Sequence, residues 1–338
     1  MTSVVHTEHL TKDFPVGFWR RRPHRALDDL SLDIPAGDVF GLLGPNGAGK
    51  STTLKLLLNL IWPTSGRADV FGRPAGDLEV RRRLGFLPEN PTFYDHLTAE
   101  ELLEYFAGLF GWSGEDARRR AARVLDEVGL AEARRRPLRQ LSKGMIQRVG
   151  LASALVNDAE LIILDEPMSG LDPIGRREVR ELILRLRDEG RTVLFSSHIL
   201  SDAELLCSRV AILARGRLVA AGSILELTSQ VAGRAASGSE VVAGGVPAGL
   251  VARLSTPIQR TTRIADDRYS FELGPDARPE TLIAELAAHG ARLVSVTPLK
   301  TTLEDVFMSA LGSLGAGEPG SLGDGKPRTE QSGSELRT

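Results

Sequence analysis

The apolar residues of this chain fall into short, dense runs set apart by glycine, proline and polar clusters. Residues 39–43 and 161–164 are unbroken runs too short for a helix, and 192–197 carries Val193, Leu194 and Phe195 at its centre. Such runs predict strands buried on both faces of a parallel sheet. Further strands are expected at 4–14, 26–34, 66–72 and 84–89, with a turn at Pro35-Ala36-Gly37. Residues 210–213 and 217–220 flank Arg215-Gly216, a hairpin signal. Helical stretches alternate with these runs. A leucine-rich stretch over 54–61 stops before Pro63. Residues 99–110 follow Thr98, a capping residue, and carry Glu100 and Glu101 early, where acids suit the helix dipole. Two more helical patterns cover 115–128 and the stretch after Ser142. Asp172 then caps a helix that has Pro173 at its first position and Gly190 just past its end. The alternation predicts an α/β fold.

The pattern changes after about residue 226. Small residues and glycines over 231–246 mark a boundary. Beyond it the order is strand, helix (248–254), hairpin around Asp266-Asp267, helix (279–289) and strand (293–297). That order resembles a small ferredoxin-like α+β unit of βαββαβ type. A last helix starts at Thr302, and residues 312–338 have the composition of a disordered tail. The expected division is therefore 1–226 with a helical part at about 90–158, then 227–311, then the tail. No catalytic constellation stands out in the C-terminal part, which is expected to serve dimerisation or regulation, or simply to cap the dimer.

Composition narrows the setting. The formal net charge of −2 over 338 residues gives no pull towards nucleic acid or an anionic membrane, and no nucleic-acid partner is expected. The single cysteine, Cys207, excludes an internal disulfide framework and suits a reducing cytosol, with a buried apolar role. The first residues lack a secretory pattern, and no apolar run approaches the roughly 20 residues that span a bilayer. A membrane role would come through a partner. The basic, aromatic loop 17–25 is either a partner or membrane contact or a solvated hairpin loop, and the second is favoured. The arginine clusters at 118–120 and 134–136 read as solvated faces.

Two stretches carry chemistry. Gly44-Pro45-Asn46-Gly47-Ala48-Gly49-Lys50-Ser51-Thr52 fits the pattern G-x-x-x-x-G-K-[ST] between a strand and a helix. Glycines let the backbone curl so that its N–H groups face phosphate oxygens, and the helix adds the positive end of its dipole. Lys50 reaches β- and γ-phosphates, and the Ser51 hydroxyl ligands Mg²⁺. A plain glycine turn is the alternative, and the strand–turn–helix context disfavours it. The second stretch ends in Asp165 and Glu166, at the strand terminus where ligand crevices of open α/β sheets lie. Asp165 would hold Mg²⁺ through water, and Glu166 would take a proton from an attacking water. An exposed acid pair in a turn is the plainer alternative. His198, at the tip of another strand, is either structural or a sensor of the γ-phosphate. Phe14 either stacks on an adenine or belongs to the core.

Together these marks resemble the nucleotide-binding subunit of ABC (ATP-binding cassette) transporters over about 1–226. Gly44 to Thr52 matches the family P-loop, Leu161 to Glu166 its acidic strand, and Ser169-Gly170-Leu171-Asp172 its D-loop. His198 matches the switch histidine and Phe14 the aromatic that stacks on adenine. Leu141-Ser142-Lys143-Gly144-Met145 aligns with the signature, usually Leu-Ser-Gly-Gly-Gln. Ser142 and Gly144 are kept, able to offer a hydroxyl and an N–H to a phosphate. Lys143 departs, either adding charge near that phosphate or, as favoured, pointing to solvent. Glu89 stands where the family has glutamine, which leaves a role at the water or at the metal. Both departures resemble the ABC-2-type exporter branch.

The resemblance implies a P-loop NTPase of the ABC ATPase class with a helical subdomain. It implies ATP and Mg²⁺ as ligands, and catalysis by Glu166, His198, Lys50 and Glu89. The nucleotide would contact Phe14, Gly44, Asn46, Gly47, Ala48, Gly49, Lys50, Ser51 and Thr52, with Ser142, Gly144 and Asp172, and Ser51, Asp165 and Glu89 would serve the metal. One P-loop and one signature imply a homodimer with two sandwiched ATP molecules. The partner is a polytopic membrane permease, gripped through the helical part and the loop around Pro91, Phe93 and Tyr94. The chain would sit on the cytoplasmic face of the cell membrane. Rival classes are a soluble ABC-type ATPase acting on ribosomes or DNA, a metabolic P-loop kinase, and a non-enzymatic ATP switch.

Overall fold

The computed structural model of the chain describes residues 3–16, 22–232, 238–247, 249–274, 276–299 and 301–315. β1 (Ser3–Val16) and β2 (Arg22–Pro35) form a long, bulged antiparallel pair. Residues 17–21 of the basic loop at its tip lie outside the described residues. β3 (Val39–Leu43) runs through the glycine-rich loop into α1 (Lys50–Leu57). β4 (Ser65–Val70) and β5 (Arg73–Pro74) extend the first sheet, giving the order β2-β1-β4-β5. α2 (Leu78–Arg82) leads to β6 (Leu84–Leu87). α3 (Ala99–Leu109), α4 (Gly114–Glu127) and α5 (Lys143–Leu155) make up the helical part. β7 (Leu161–Asp165), α6 (Pro173–Asp188), β8 (Thr192–Ser197), α7 (Leu200–Leu206), β9 (Arg209–Ala214) and β10 (Arg217–Ser223) follow. α8 (Ile224–Ala232) precedes a small unit of β11 (Ser239–Gly244), β12 (Ile258–Ala265), β13 (Arg268–Leu273), α9 (Pro279–Ala288) and β14 (Arg292–Pro298), and α10 (Leu303–Gly315) comes last.

The central sheet has the order β10-β9-β3-β8-β7-β6, parallel from β9 to β6. Every residue of β3, β7 and β8 is buried, as their apolar runs require. Successive side chains point to opposite faces. Phe40, Leu42, Ile163 and Leu194 therefore pack against the first sheet and α1, with Leu10, Leu30 and Leu54. Leu43, Ile162, Leu164 and Phe195 pack on the other face against Leu102, Val149 and Ile183 of the helices. Cys207 is buried in that second core, and burial pushes its thiol pKa up. No helix among the described residues is long and apolar enough to cross a membrane.

Local chemistry sets several boundaries. α1 begins at Lys50 and ends at Leu57, earlier at both ends than the leucine pattern implies. Asn59 adopts a left-handed conformation (φ 51°), and the N–H groups of Asn59 and Leu60 bond back to the Leu56 and Lys55 carbonyls. This closes the helix well before Pro63. α3 starts with a full capping box between Thr98 and Glu101. α5 crosses β6 so closely that a β-carbon at Gly85 would collide with the Ala154 carbonyl oxygen. Asn157 holds the same junction, donating to the carbonyl oxygens of Arg82 and Leu84. Gly85→Ala is expected to cost at least about 2 kcal/mol by forcing the helix off the sheet, read as a lower midpoint of chemical denaturation.

The C-terminal part differs from expectation in two ways. Its sheet has the order β12-β13-β11-β14, all antiparallel, a split arrangement of the ferredoxin-like kind. The first crossover, however, carries a 3₁₀ turn at Val251–Arg253 in place of the helix expected over 248–254, and Ala248 itself is not described. The boundary also moves. Leu303 and Val306 of α10 are buried in the helical-face core of the first unit, beside Leu227 of α8. The Leu303 N–H donates to Glu204 Oε1 of α7 at 2.6 Å. α8 and α10 thus pack with the nucleotide unit, and only β11 to β14 with α9 keep a core of their own. The tail expected from 312 starts inside α10, and its remainder lies outside the described residues.

Candidate active site

The C-terminal ends of β3, β7 and β8 bring the site together. Gly44 leaves β3 at φ 148°, where a β-carbon would strike the Leu213 carbonyl oxygen, so only glycine fits. The loop then turns, with Ala48 N–H donating to the Pro45 carbonyl, and α1 starts at Gly49 without a side-chain cap. The first-turn N–H groups of Lys50, Ser51 and Thr52 have no intrahelical acceptor. An anion is the natural partner for such an end.

A cleft of about 610 Å³ opens over this loop, lined by Asn46, Gly47, Ala48, Gly49, Lys50, Ser51 and Thr52. Phe14, His24 and Ala26 of the first sheet form one wall, and Glu89, Glu166, Ser169 and His198 complete the lining. Phe14 belongs to none of the hydrophobic clusters of the described residues. Its ring is half-buried, with Lys12 Nζ 5.1 Å from the centroid. His24 was not singled out in the sequence.

The charged groups are already neutralised against one another. Lys50 is 6% exposed, and its ammonium donates to the carbonyl oxygens of Gly44 at 2.7 Å and Pro45 at 3.3 Å. It also lies 3.2 Å from Glu166 Oε1, an ion pair without hydrogen-bond alignment. Glu166 Oε2 accepts from His198 Nδ1 at 2.8 Å; an ionised carboxylate cannot donate, so Nδ1 carries the proton. Glu166 has φ 50°, a left-handed conformation that costs a residue with a side chain about 1–3 kcal/mol. The turn is held by its own carbonyl, which accepts from Ser169 N–H, and by its N–H, which donates to Ser196 Oγ at 3.0 Å.

Behind the cleft, Asp165 Oδ1 accepts from Ser51 Oγ at 3.2 Å and from Ser196 Oγ at 2.6 Å. A hydroxyl and a carboxylate side by side form an all-oxygen donor set. Among the described residues no three His, Cys, Asp or Glu side chains come close enough to cage a metal. Mg²⁺ suits this pair, because it takes one or two protein oxygens and completes its shell with phosphate and water. Glu89 lines the cleft but does not join Asp165 and Glu166 in a metal-holding group.

Of the expected nucleotide contacts, Gly44 opens the loop without lining the cleft, and three others lie elsewhere in the fold. Ser142 is exposed and caps α5, accepting from Met145 N–H at 3.3 Å, and Gly144 follows in the first turn. Neither lines the cleft. Lys143 is exposed, but its ammonium lies over the D-loop: a β-carbon on Gly170 would be 2.5 Å from Nζ. Met145 packs against the helical-face core, which explains an apolar residue at that signature position. Gln147, not singled out in the sequence, is buried and donates to the Pro167 carbonyl at 3.1 Å, tying the signature helix to the exit of β7. Asp172 is exposed and outside the cleft; its carboxylate caps α6, accepting from Gly175 N–H at 2.7 Å. Asp172→Ala is expected to lower stability by about 1 kcal/mol, while Asp172→Asn, which keeps the accepting oxygen, stays near wild type in a thermal melt.

A sheet flanked on both faces and parallel from β9 to β6, a glycine loop on an uncapped helix after β3 and an acid pair at the end of β7 define a P-loop ATPase with a cassette-type helical part. Residues 27–169 match the ABC transporter family. The chain is 42% identical over 315 residues to an uncharacterized ABC transporter ATP-binding protein of Synechocystis, covering 93% of this chain and 86% of that one. It is 34% identical to the daunorubicin/doxorubicin resistance ATP-binding protein DrrA of Streptomyces peucetius, covering 85% and 88%. It is 32% identical to the linearmycin resistance ATP-binding protein LnrL of Bacillus subtilis, covering 84% and 92%. Among solved structures it resembles the dimeric post-hydrolysis state of the ATP-binding cassette MJ0796 bound to ADP and Pi, with TM-score 0.60 and 28% identity, covering 65% of this chain and 98% of that one. The chain belongs to the ATP-binding proteins of ABC transporters, a family of ATPases.

Proposed function

We propose that this chain powers export through a separate polytopic membrane permease, working on the cytoplasmic face as a homodimer that sandwiches two ATP molecules. The observation that carries this reading is the divided site. Lys50, Ser51, Glu166 and His198 line one cleft, with Asp165 behind it and bonded to Ser51, while Ser142 is exposed and neither it nor Gly144 lines that cleft. A second copy would supply its signature serine and helix N-terminus to the open side of the cleft. The resistance proteins among its relatives favour the export direction.

In this reading the uncapped start of α1 and Lys50 hold the β- and γ-phosphates, and Phe14 stacks on the adenine. Ser51 and Asp165 would hold Mg²⁺, which would supply positive charge to the phosphate oxygens. Glu166 takes a proton from water as the water oxygen attacks the γ-phosphorus and the bond to ADP breaks, giving ADP and inorganic phosphate. His198 holds the Glu166 carboxylate and follows the γ-phosphate. Glu89 at the rim accepts a hydrogen bond from water. Loss of the phosphate then releases the dimer.

The test is affinity capture of tagged chain from detergent-solubilised native membranes, followed by mass spectrometry. A polytopic membrane protein recovered near stoichiometrically is the expected result. Recovery of ribosomes or DNA-associated proteins instead, from a chain that still hydrolyses ATP, would replace transport by a soluble ATPase function.

A further inference from the structure

Ser196 is a polar residue at a buried strand position. It lies on β8, in register beside Asp165 of β7, and is fully buried. Its hydroxyl has one proton and two lone pairs. The proton goes to Asp165 Oδ1 at 2.6 Å, and a lone pair accepts from the Glu166 N–H at 3.0 Å. Two consecutive acids with different tasks thus share one clamp. Asp165 is held with Oδ1 beside Ser51 Oγ, 3.2 Å away. Glu166 is held in its left-handed turn, with its carboxylate between Lys50 and His198.

We propose that Ser196 is a positioning residue for the Mg²⁺-bound phosphates, acting through Asp165, and for the attacking water, acting through the Glu166 backbone. A carboxylate fixed by a buried donor presents one defined oxygen, whereas a free one swings between rotamers. Partners of this kind behind a metal ligand typically carry a 10–100-fold share of metal affinity or activity. Removing the hydroxyl also leaves the Glu166 N–H buried without an acceptor, which loosens the turn that aims the base. The inference rests on the assignment of Ser51 and Asp165 to the metal.

The experiment measures equilibrium binding of a fluorescent ATP analogue to the full chain, across a Mg²⁺ titration and in EDTA, beside kcat and the melting temperature. For Ser196→Ala the Mg²⁺ midpoint is expected to rise about tenfold or more, with affinity in EDTA within about twofold of wild type and a lower kcat. Ser196→Thr keeps the hydroxyl and should recover most of the midpoint. If Ser196→Ala folds poorly, Ser196→Cys, a weaker donor, should give an intermediate midpoint. A wild-type Mg²⁺ midpoint in Ser196→Ala or Ser196→Cys, with only the melting temperature lowered, overturns the proposal. Asp165→Asn separates the two layers. An unchanged Mg²⁺ dependence in Asp165→Asn removes the metal assignment and this proposal with it. A changed one there, beside an unchanged one in Ser196→Ala, removes the proposal alone.

Discussion

Glu166→Gln lowers kcat for ATP hydrolysis by about 10²–10⁴-fold, the range that a positioned general base contributes. The substitution keeps the size of the side chain and the backbone clamp from Ser196, so the loss of turnover at saturating ATP reports chemistry. It also removes the charge that faces Lys50 at 3.2 Å. Lys50 then has only the Gly44 and Pro45 carbonyl oxygens as partners, and a phosphate displaces them more readily. ATP affinity should therefore hold or rise while turnover nearly stops. A chain that binds and cannot hydrolyse should accumulate as an ATP-dependent dimer. Phosphate release at saturating ATP measures the first effect, and light scattering with size exclusion, with and without ATP, measures the second. Wild-type turnover in this variant would end the general-base assignment, and a monomer at all ATP concentrations would end the sandwich.

Lys50→Ala should act on both the empty and the filled site. With nucleotide, it removes the charge that the proposed mechanism places at the β- and γ-phosphates, and kcat/KM is expected to fall by about 10²–10³-fold, as when a donor to developing charge is deleted. Without nucleotide, it leaves the Glu166 carboxylate, only 10% exposed, without its Lys50 partner. The empty protein should lose stability. Combined with Glu166→Gln, part of that loss should return, with an interaction energy of about 0.5–3 kcal/mol in a double-mutant cycle. Strictly additive stabilities would show that the pair contributes nothing to the empty state. Nucleotide titration and urea unfolding of the four proteins supply both numbers.

What could be read from the chain was whatever is local. The glycine loop, the acid pair and the strand-tip histidine announce themselves because their chemistry needs fixed spacing along the backbone, and Thr98 and Asp172 cap helices by contacts three residues long. What stayed hidden depends on sheet order. Ser196 looks like the end of a strand until β8 is known to lie beside β7. Met145 looks like a damaged signature until the core beneath it is seen. Lys143 looks free until the D-loop folds back under it. The expected helix over 248–254 came from the order of elements, and one 3₁₀ turn suffices there to cross between strands. The C-terminal boundary was hidden as well: a glycine-rich stretch does not show that later residues, Leu303 and Val306, return to the first core.

That return bears on biosynthesis. Leu303 and Val306 enter a core whose other members end at Leu227. A nascent chain emerges from its N-terminus, at roughly 5–20 residues per second. The nucleotide unit therefore waits on the order of ten seconds after its last strand is made before the residues that close its core exist. Through that interval the flank of α7 and α8 is uncovered apolar surface. Slow decoding across the intervening small sheet would prolong that exposure, so a segment without catalytic groups sets how long the core of the ATPase stays open.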